Sequence, residues 1–152
     1  MSEVMEKDKK IDAEQEDMHV EMMKALYDLA AQKAKNAYAP YSEFKVGAAI
    51  LTASGKVYTG VNVENSSYGA TICAERVAFA NAVAEGERDF VVIAVASGNE
   101  KPEEAIPCGI CRQFMYEFSP EIYIVTGTDR ENLNIRSLDK LLPMGFRLSA
   151  DK

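Results

Sequence analysis

The chain has no tryptophan, a single histidine, only three cysteines and no long apolar run, and each shortage removes a class of function. Its longest aliphatic stretches, Val46 to Leu51 and Val91 to Ala96, fall far short of the roughly 20 residues a membrane-spanning helix needs. Three cysteines in 152 residues do not make a secreted disulfide framework, because pairing would leave one thiol over. Metal binding or thiol chemistry is then the question. Positive charge is also short: 17 Lys plus Arg stand against 24 Asp plus Glu, a net charge of -7. Nothing is in excess to neutralise a phosphate backbone, which argues against a nucleic-acid partner. The N-terminal segment lacks the apolar core of a signal peptide. A cytoplasmic protein that neither crosses nor binds a membrane is expected.

What is present, 47% hydrophobic residues, is enough for one compact domain. Residues 1–17 hold seven acids and three bases with little to bury, and read as a disordered extension ahead of a single domain at 18–152. From Met18 the apolar positions Met22, Ala25, Leu26, Leu29, Ala30 and Ala34 recur at three and four, one stripe of an amphipathic helix that ends before Pro40. Phe44 to Ala53 and Lys56 to Glu64 flank Ser54-Gly55 and predict an antiparallel hairpin. Cys73 to Glu85 reads as a helix stopped at Gly86. Phe90 to Ser97, almost unbroken aliphatic, predicts a strand covered on both faces. A helix from Pro107 to Phe118, a strand from Glu121 to Thr126 and a last helical turn at Leu138 to Leu142 complete the pattern. Strands alternating with helices in this way imply a three-layer α/β/α sandwich on a mixed sheet.

All three cysteines fall at predicted helix starts. Cys108-Gly109-Ile110-Cys111 places two thiols at i and i+3 behind Pro107, on one face of a first helical turn. Unpaired N–H groups and the macrodipole at such a position favour the thiolate. Cys73 opens the other helix in the same manner. Two such starts converging would present three thiolates, and zinc with three protein ligands keeps its fourth position for water, a catalytic arrangement. A lone C-x-x-C is equally compatible with a redox dithiol or with inert core cysteines. Glu75 separates these readings. Two residues after Cys73, it does not share that residue's helix face, so a Cys73 at the very start of the helix lets Glu75 lean over the open position without ligating. Zinc deaminases of nucleobases use this order: a His or Cys, a Glu two residues on, then P-C-x-x-C, with the Glu as general acid and base. His19 lies in the acidic N-terminal part, far from these motifs, and is expected on the surface; it cannot take the place of Cys73.

Around these motifs the chain resembles the small, homotetrameric cytidine deaminases of pyrimidine salvage. The resemblance runs from about Ala37 to Phe146. It is carried by Tyr38-Ala39-Pro40-Tyr41-Ser42, Phe44-Lys45-Val46-Gly47-Ala48, Gly60-Val61-Asn62-Val63-Glu64-Asn65, Cys73-Ala74-Glu75-Arg76, Pro107-Cys108-Gly109-Ile110-Cys111-Arg112-Gln113 and Leu141-Leu142-Pro143, in that order. It implies a five-stranded mixed sheet and one Zn2+ per chain on Cys73, Cys108 and Cys111. The implied reaction is hydrolysis of cytidine and 2'-deoxycytidine to uridine and 2'-deoxyuridine. It further implies that Phe44 stacks on the pyrimidine, that Asn62 and Glu64 hold the sugar through its 3'-hydroxyl, and that Ala74 lines the substrate site. Tyr68 and Phe146 would complete the pockets of neighbouring chains.

Chemistry gives Glu75 and Arg76 their roles. Deamination requires an oxygen nucleophile at C4, a proton delivered to N3 and then one to the departing amine, and Glu75 can carry out both transfers. Three thiolates on a divalent ion leave a formal charge of -1, so Arg76 beside the sulfurs would draw charge away from the metal. An amide and a carboxylate suit a neutral ribose and repel a phosphate. Ser66 and Ser67 stand where the family most often has alanine, a slightly more polar wall. Three rivals remain at this point. A blasticidin-type deaminase would share the zinc chemistry, a polynucleotide-editing enzyme would need a basic stacking groove, and a non-enzymatic zinc or dithiol module would leave Glu75 without a task.

Overall fold

The computed structural model describes residues 2–101 and 103–148. Helix α1 spans Ser2–Ala34, followed by β1 (Val46–Thr52), β2 (Val57–Val61), a 3-10 turn (Tyr68–Ala70), α2 (Ala74–Ala84), β3 (Phe90–Ser97), α3 (Gly109–Phe118), β4 (Tyr123–Asp129), β5 (Asn132–Ser137) and α4 (Leu138–Leu141). The strands form one mixed sheet in the order β2-β1-β3-β4-β5, parallel only between β3 and β4. That parallel pair needs a crossover, and α3 supplies it.

The two faces of the sheet are covered by different helices. On one, Leu26, Tyr27 and Ala30 of α1 pack against Ala49, Val92, Ala94, Ala96 and Val125. On the other, Phe79 of α2 and Met115 of α3 close over Ile50, Ile93, Val95 and Ile124. The α/β/α sandwich is therefore present, and β3 is buried on both sides as its composition requires. A register shift opposite Leu51 and Thr52 leaves Val91 unpaired, so Phe90 turns to the α2 face although Val92 faces α1.

Three elements differ from the sequence reading. Helix α1 is continuous from Ser2, well ahead of Met18. Gln15 to Glu21 are exposed there, so intrinsic propensity rather than burial carries the helix. The hairpin strands are shorter than expected because the Asn62 side chain replaces part of the ladder. Its Oδ1 accepts from the Val46 N–H at 2.8 Å and its Nδ2 donates to the Phe44 carbonyl at 2.8 Å, which lets the two chains diverge. The third is strand β5, whose residues carry no strand pattern of their own. Asn132, Asn134 and Arg136 make it polar, and as an edge strand it buries little.

The register then decides where a site can form. Val46 pairs with Ser97 and Gly47 with Val61, so β2 and β3 finish at the same end of the sheet, on either side of the start of β1. The connections to α2 and α3 both leave from there. Gly60 allows α2 to descend onto β2: a Cβ at this position would lie 2.4 Å from the Ala78 nitrogen and 2.5 Å from the Ala74 carbonyl oxygen. At the other end of α2, Gly86 takes φ 93°, the left-handed turn that ends the helix. Gly60→Ala is expected to push the first turn of α2 off the sheet and to lower stability by about 1–3 kcal/mol, read from urea or thermal unfolding.

Candidate metal centre and active site

Cys73 is the N-cap of α2 and Cys108 the N-cap of α3, both in extended backbone, while Cys111 lies in the first turn of α3. The three Sγ atoms lie within 4.8 Å of one another. Those of Cys73 and Cys108 are 3.7 Å apart. Tetrahedral zinc with bonds of about 2.3 Å separates its sulfurs by about 3.8 Å, so the donor set fits that ion in number, chemistry and spacing. All three thiols are free of disulfides. Hydrogen bonding from Cys111, joined by Arg76, holds the Cys73 thiol down to about 5, whereas its bond to Cys73 and burial push Cys111 up.

Arg76 sits beside the cluster. Its guanidinium Nη2 donates to the Thr71 carbonyl at 3.4 Å and approaches the Cys73 sulfur at 3.8 Å. Its Nε is buried with no partner, an orphan donor next to sulfurs that become anionic when a metal binds. Glu75, only 4% exposed, reaches the cluster from the same helical turn, with Oε2 3.8 Å from the Cys111 sulfur. Burial pushes its carboxyl up to about 7, where it can both accept and release a proton near neutral pH. The Cys73-Ala74-Glu75 spacing thus brings the carboxyl to the sulfurs.

A cleft of about 500 Å³ opens onto these groups. Phe44, Asn62, Glu64 and Ala74 line it together with Cys73, Glu75 and Cys108. Asn62 is largely committed to the backbone of Phe44 and Val46 and keeps one amide N–H for a ligand. Glu64 is also partly used: its Oε1 accepts from the backbone N–H groups of Tyr41 and Ser42 at 2.9 and 3.1 Å. The Ser42 side chain and these N–H groups lower its pKa and keep it an acceptor. Tyr68 does not enter this cleft. It stands 75% exposed in an adjoining recess, edge-on to Tyr41 with ring centroids 5.6 Å apart. Phe146 is 63% exposed and lies outside both cavities, its carbonyl accepting from Gln113. His19 is exposed.

The cleft wall also includes Thr71, Glu104, Ala105 and Ile106, which lie outside every motif of the sequence. They occupy loops with no pattern of their own, and only the folding of the 98–108 connection over the site brings the last three into it. Glu43, immediately before Phe44, takes φ 58°. For a residue other than glycine this left-handed conformation costs about 1–2 kcal/mol. No sequence signal announced it.

The family model for the cytidine and deoxycytidylate deaminase zinc-binding region matches residues 20–126. The chain belongs to the cytidine deaminase family. A protein of Dictyostelium discoideum named probable cytidine deaminase is 48% identical over 126 residues, covering 83% of this chain and 84% of that protein. The crystal structure of cytidine deaminase from Burkholderia pseudomallei superposes with a TM-score of 0.73 at 44% identity, over 80% of this chain and 97% of that one. A blasticidin-S deaminase of Bacillus cereus is more distant, 27% identical over 127 residues, covering 80% and 89% of the two chains. The cofactor is zinc: the matched region is a zinc-binding one, and three sulfurs converge within it. Among the described residues, no helix is long and apolar enough to cross a membrane.

Cys108 is exposed and Cys111 fully buried, so their loss should differ. Cys108→Ala is expected to abolish stoichiometric zinc, measured by atomic emission, with little change in the unfolding of the metal-free protein. Cys111→Ala should lose the zinc and also about 1 kcal/mol or more of metal-free stability.

Proposed function

We propose that this member of the cytidine deaminase family hydrolyses cytidine and 2'-deoxycytidine to uridine and 2'-deoxyuridine, releasing ammonia. The observation that carries this reading is Glu75, a buried carboxyl poised near neutrality where the cleft meets three convergent sulfurs. A structural zinc site or a redox dithiol has no use for such a group. A blasticidin-type substrate is disfavoured because the relative with that name is much less similar than the cytidine deaminases.

In the cleft, zinc held by Cys73, Cys108 and Cys111 supplies the Lewis acidity that makes water nucleophilic near neutral pH. Glu75 takes a proton as oxygen adds to C4 of the ring and delivers it to N3. It then takes the proton of the new C4 hydroxyl and passes it to the amine, so that the C4–N bond breaks, ammonia leaves and C4 keeps the oxygen as a carbonyl beside the protonated N3. Arg76 offsets the negative charge of the sulfurs. Phe44 presents an aromatic face to the pyrimidine, and Ala74, at the start of α2, leaves room beside it and a backbone N–H free of helical bonding. The remaining N–H of Asn62 and Oε2 of Glu64 take the 3'-hydroxyl of the sugar. Glu64, held ionised, repels a phosphate.

The assembly completes this proposal. Tyr68 and Phe146, exposed and outside the cleft of their own chain, are offered to the pockets of neighbouring chains in a homotetramer. Free metal-binding thiols suit the reducing cytoplasm.

Loss of ultraviolet absorbance on adding cytidine, deoxycytidine or cytidine 5'-phosphate tests the reading. Both nucleosides should be converted and the nucleotide spared; equal turnover of the nucleotide removes the role given to Glu64. Glu75→Gln should keep one zinc per chain and lose about 10²–10⁴-fold in kcat, the usual contribution of a general acid–base. Loss of zinc with activity would instead make Glu75 a ligand.

A further inference from the structure

The connection between β3 and α3 forms one wall of the cleft and delivers Cys108 to the metal site. It is tied down at its two ends. At the first, the Gly98 N–H donates to the Lys45 carbonyl at 2.9 Å and Asn99 Oδ1 accepts from the Lys45 N–H at 3.2 Å. At the last, Arg112 Nε donates to the Pro107 carbonyl at 2.8 Å, while its Nη1 reaches the Leu141 carbonyl at 2.8 Å. Between these ends lie Glu104, Ala105 and Ile106, all three in the cleft wall.

Glu104 is bonded differently from the other acids of the surface. A single oxygen, Oε1, accepts from three side chains on two strands: Thr126 Oγ1 of β4, Asn134 Nδ2 of β5 at 3.0 Å and Arg136 Nη1 of β5 at 2.8 Å. Arg136 also donates to Thr126 Oγ1 at 3.0 Å, which closes a ring of three side chains. Thr126 is fully buried, and Glu104 and Arg136 are each about two-thirds or more buried at their side chains. Every bond joins residues distant in sequence. An isolated surface ion pair adds little, but a closed, charge-assisted network on a buried hydroxyl fixes geometry. The Thr126, Arg136 and Asn134 bonds lower the pKa of the Glu104 carboxyl, so it is ionised and the network persists at neutral pH.

We propose that Glu104 is a positioning residue for the nucleoside, anchoring the β3–α3 connection to the β4–β5 hairpin so that Ala105 and Ile106 stand at a fixed distance from Phe44 across the cleft. Strand β5, otherwise an edge strand that gives no residue to the cleft, thereby acts on substrate binding through Arg136 and Asn134. Because the metal ligands are fixed by α2 and α3, the anchor governs affinity rather than chemistry. The effect on substrate rests on the deaminase reading above; the anchoring does not.

Two readouts separate these parts. Glu104→Ala, Arg136→Ala and the double variant are compared with the wild type as zinc-loaded proteins. The first readout is steady-state kinetics with cytidine, and the second is amide hydrogen exchange. Glu104→Ala should raise KM about tenfold, the scale of losing a charged hydrogen-bond network, while kcat stays within about twofold and zinc content is unchanged. Arg136→Ala should raise KM in the same direction, and the double variant should be no worse than Glu104→Ala alone, since both act through one network. Exchange should quicken at Ala105 and Ile106 but not within α2. Unchanged exchange at these amides, or exchange that rises throughout the chain, overturns the anchor whatever the substrate. Quickened exchange with KM unmoved overturns the positioning role. A KM effect of Glu104→Ala that Arg136→Ala does not share makes Glu104 a direct substrate contact and overturns it too. Absence of cytidine turnover by the wild type is a failure of the deaminase reading, and the exchange data then decide the anchor by themselves. Should Glu104→Ala not fold, Arg136→Ala and Asn134→Ala carry the same two tests.

Discussion

Three sulfur atoms from two helix starts must meet at one point, and most of the structure follows from that requirement. Neither helix can supply the set alone, because a single first turn offers Cys108 and Cys111 but no third thiol. The sheet resolves this by ending β2 and β3 at the same end, flanking the start of β1, so that both connections emerge there. Gly60 then lets α2 settle against β2 at backbone contact. Arg112 fastens the entry of α3 to the Pro107 carbonyl and to the C-terminal helix α4. The buried Phe79, Met115 and Ile93 hold the two helices in register on the same face.

Once the sulfurs meet, electrostatics becomes the next constraint. Metal-bound sulfurs and the ionised Glu64 gather negative charge at the cleft, and Arg76 stands beside the sulfurs against it. Its unpartnered Nε and its approach to Cys73 place the opposing charge at the ligands, not in the substrate space. That leaves the cleft suited to a neutral polar molecule. The acidity of the whole chain points the same way, since neither the site nor the surface has the positive excess that polyphosphates or nucleic acids require.

Much of this was legible in the sequence because the motifs are local. The Cys73-Ala74-Glu75-Arg76 and Pro107-Cys108-Gly109-Ile110-Cys111 segments carry both the ligand types and the helix starts that orient them, and the unbroken apolar run of β3 carries its double burial. What was not legible depends on partners far along the chain. Asn62 was read as a sugar ligand, yet most of its amide is spent joining Phe44 to Val46, a contact its own neighbours do not reveal. Glu104 had no pattern at all, because its three donors come from Thr126, Asn134 and Arg136. Strand β5 was hidden for a related reason: an edge strand buries little and so leaves no strong hydrophobic period.

Local pattern put the three cysteines at helix starts, set Glu75 two residues after Cys73 and carried the layered α/β architecture, because helix starts, spacing and apolar periodicity are written within a few residues of one another. Only the tertiary structure decided that the two helix starts face each other, that burial lifts Glu75 to about 7, and that Tyr68 and Phe146 lie outside the cleft of their own chain. The physical reason is range. Desolvation, convergence and exposure are properties of what surrounds a residue after folding, and the surroundings come from segments that the local pattern does not name.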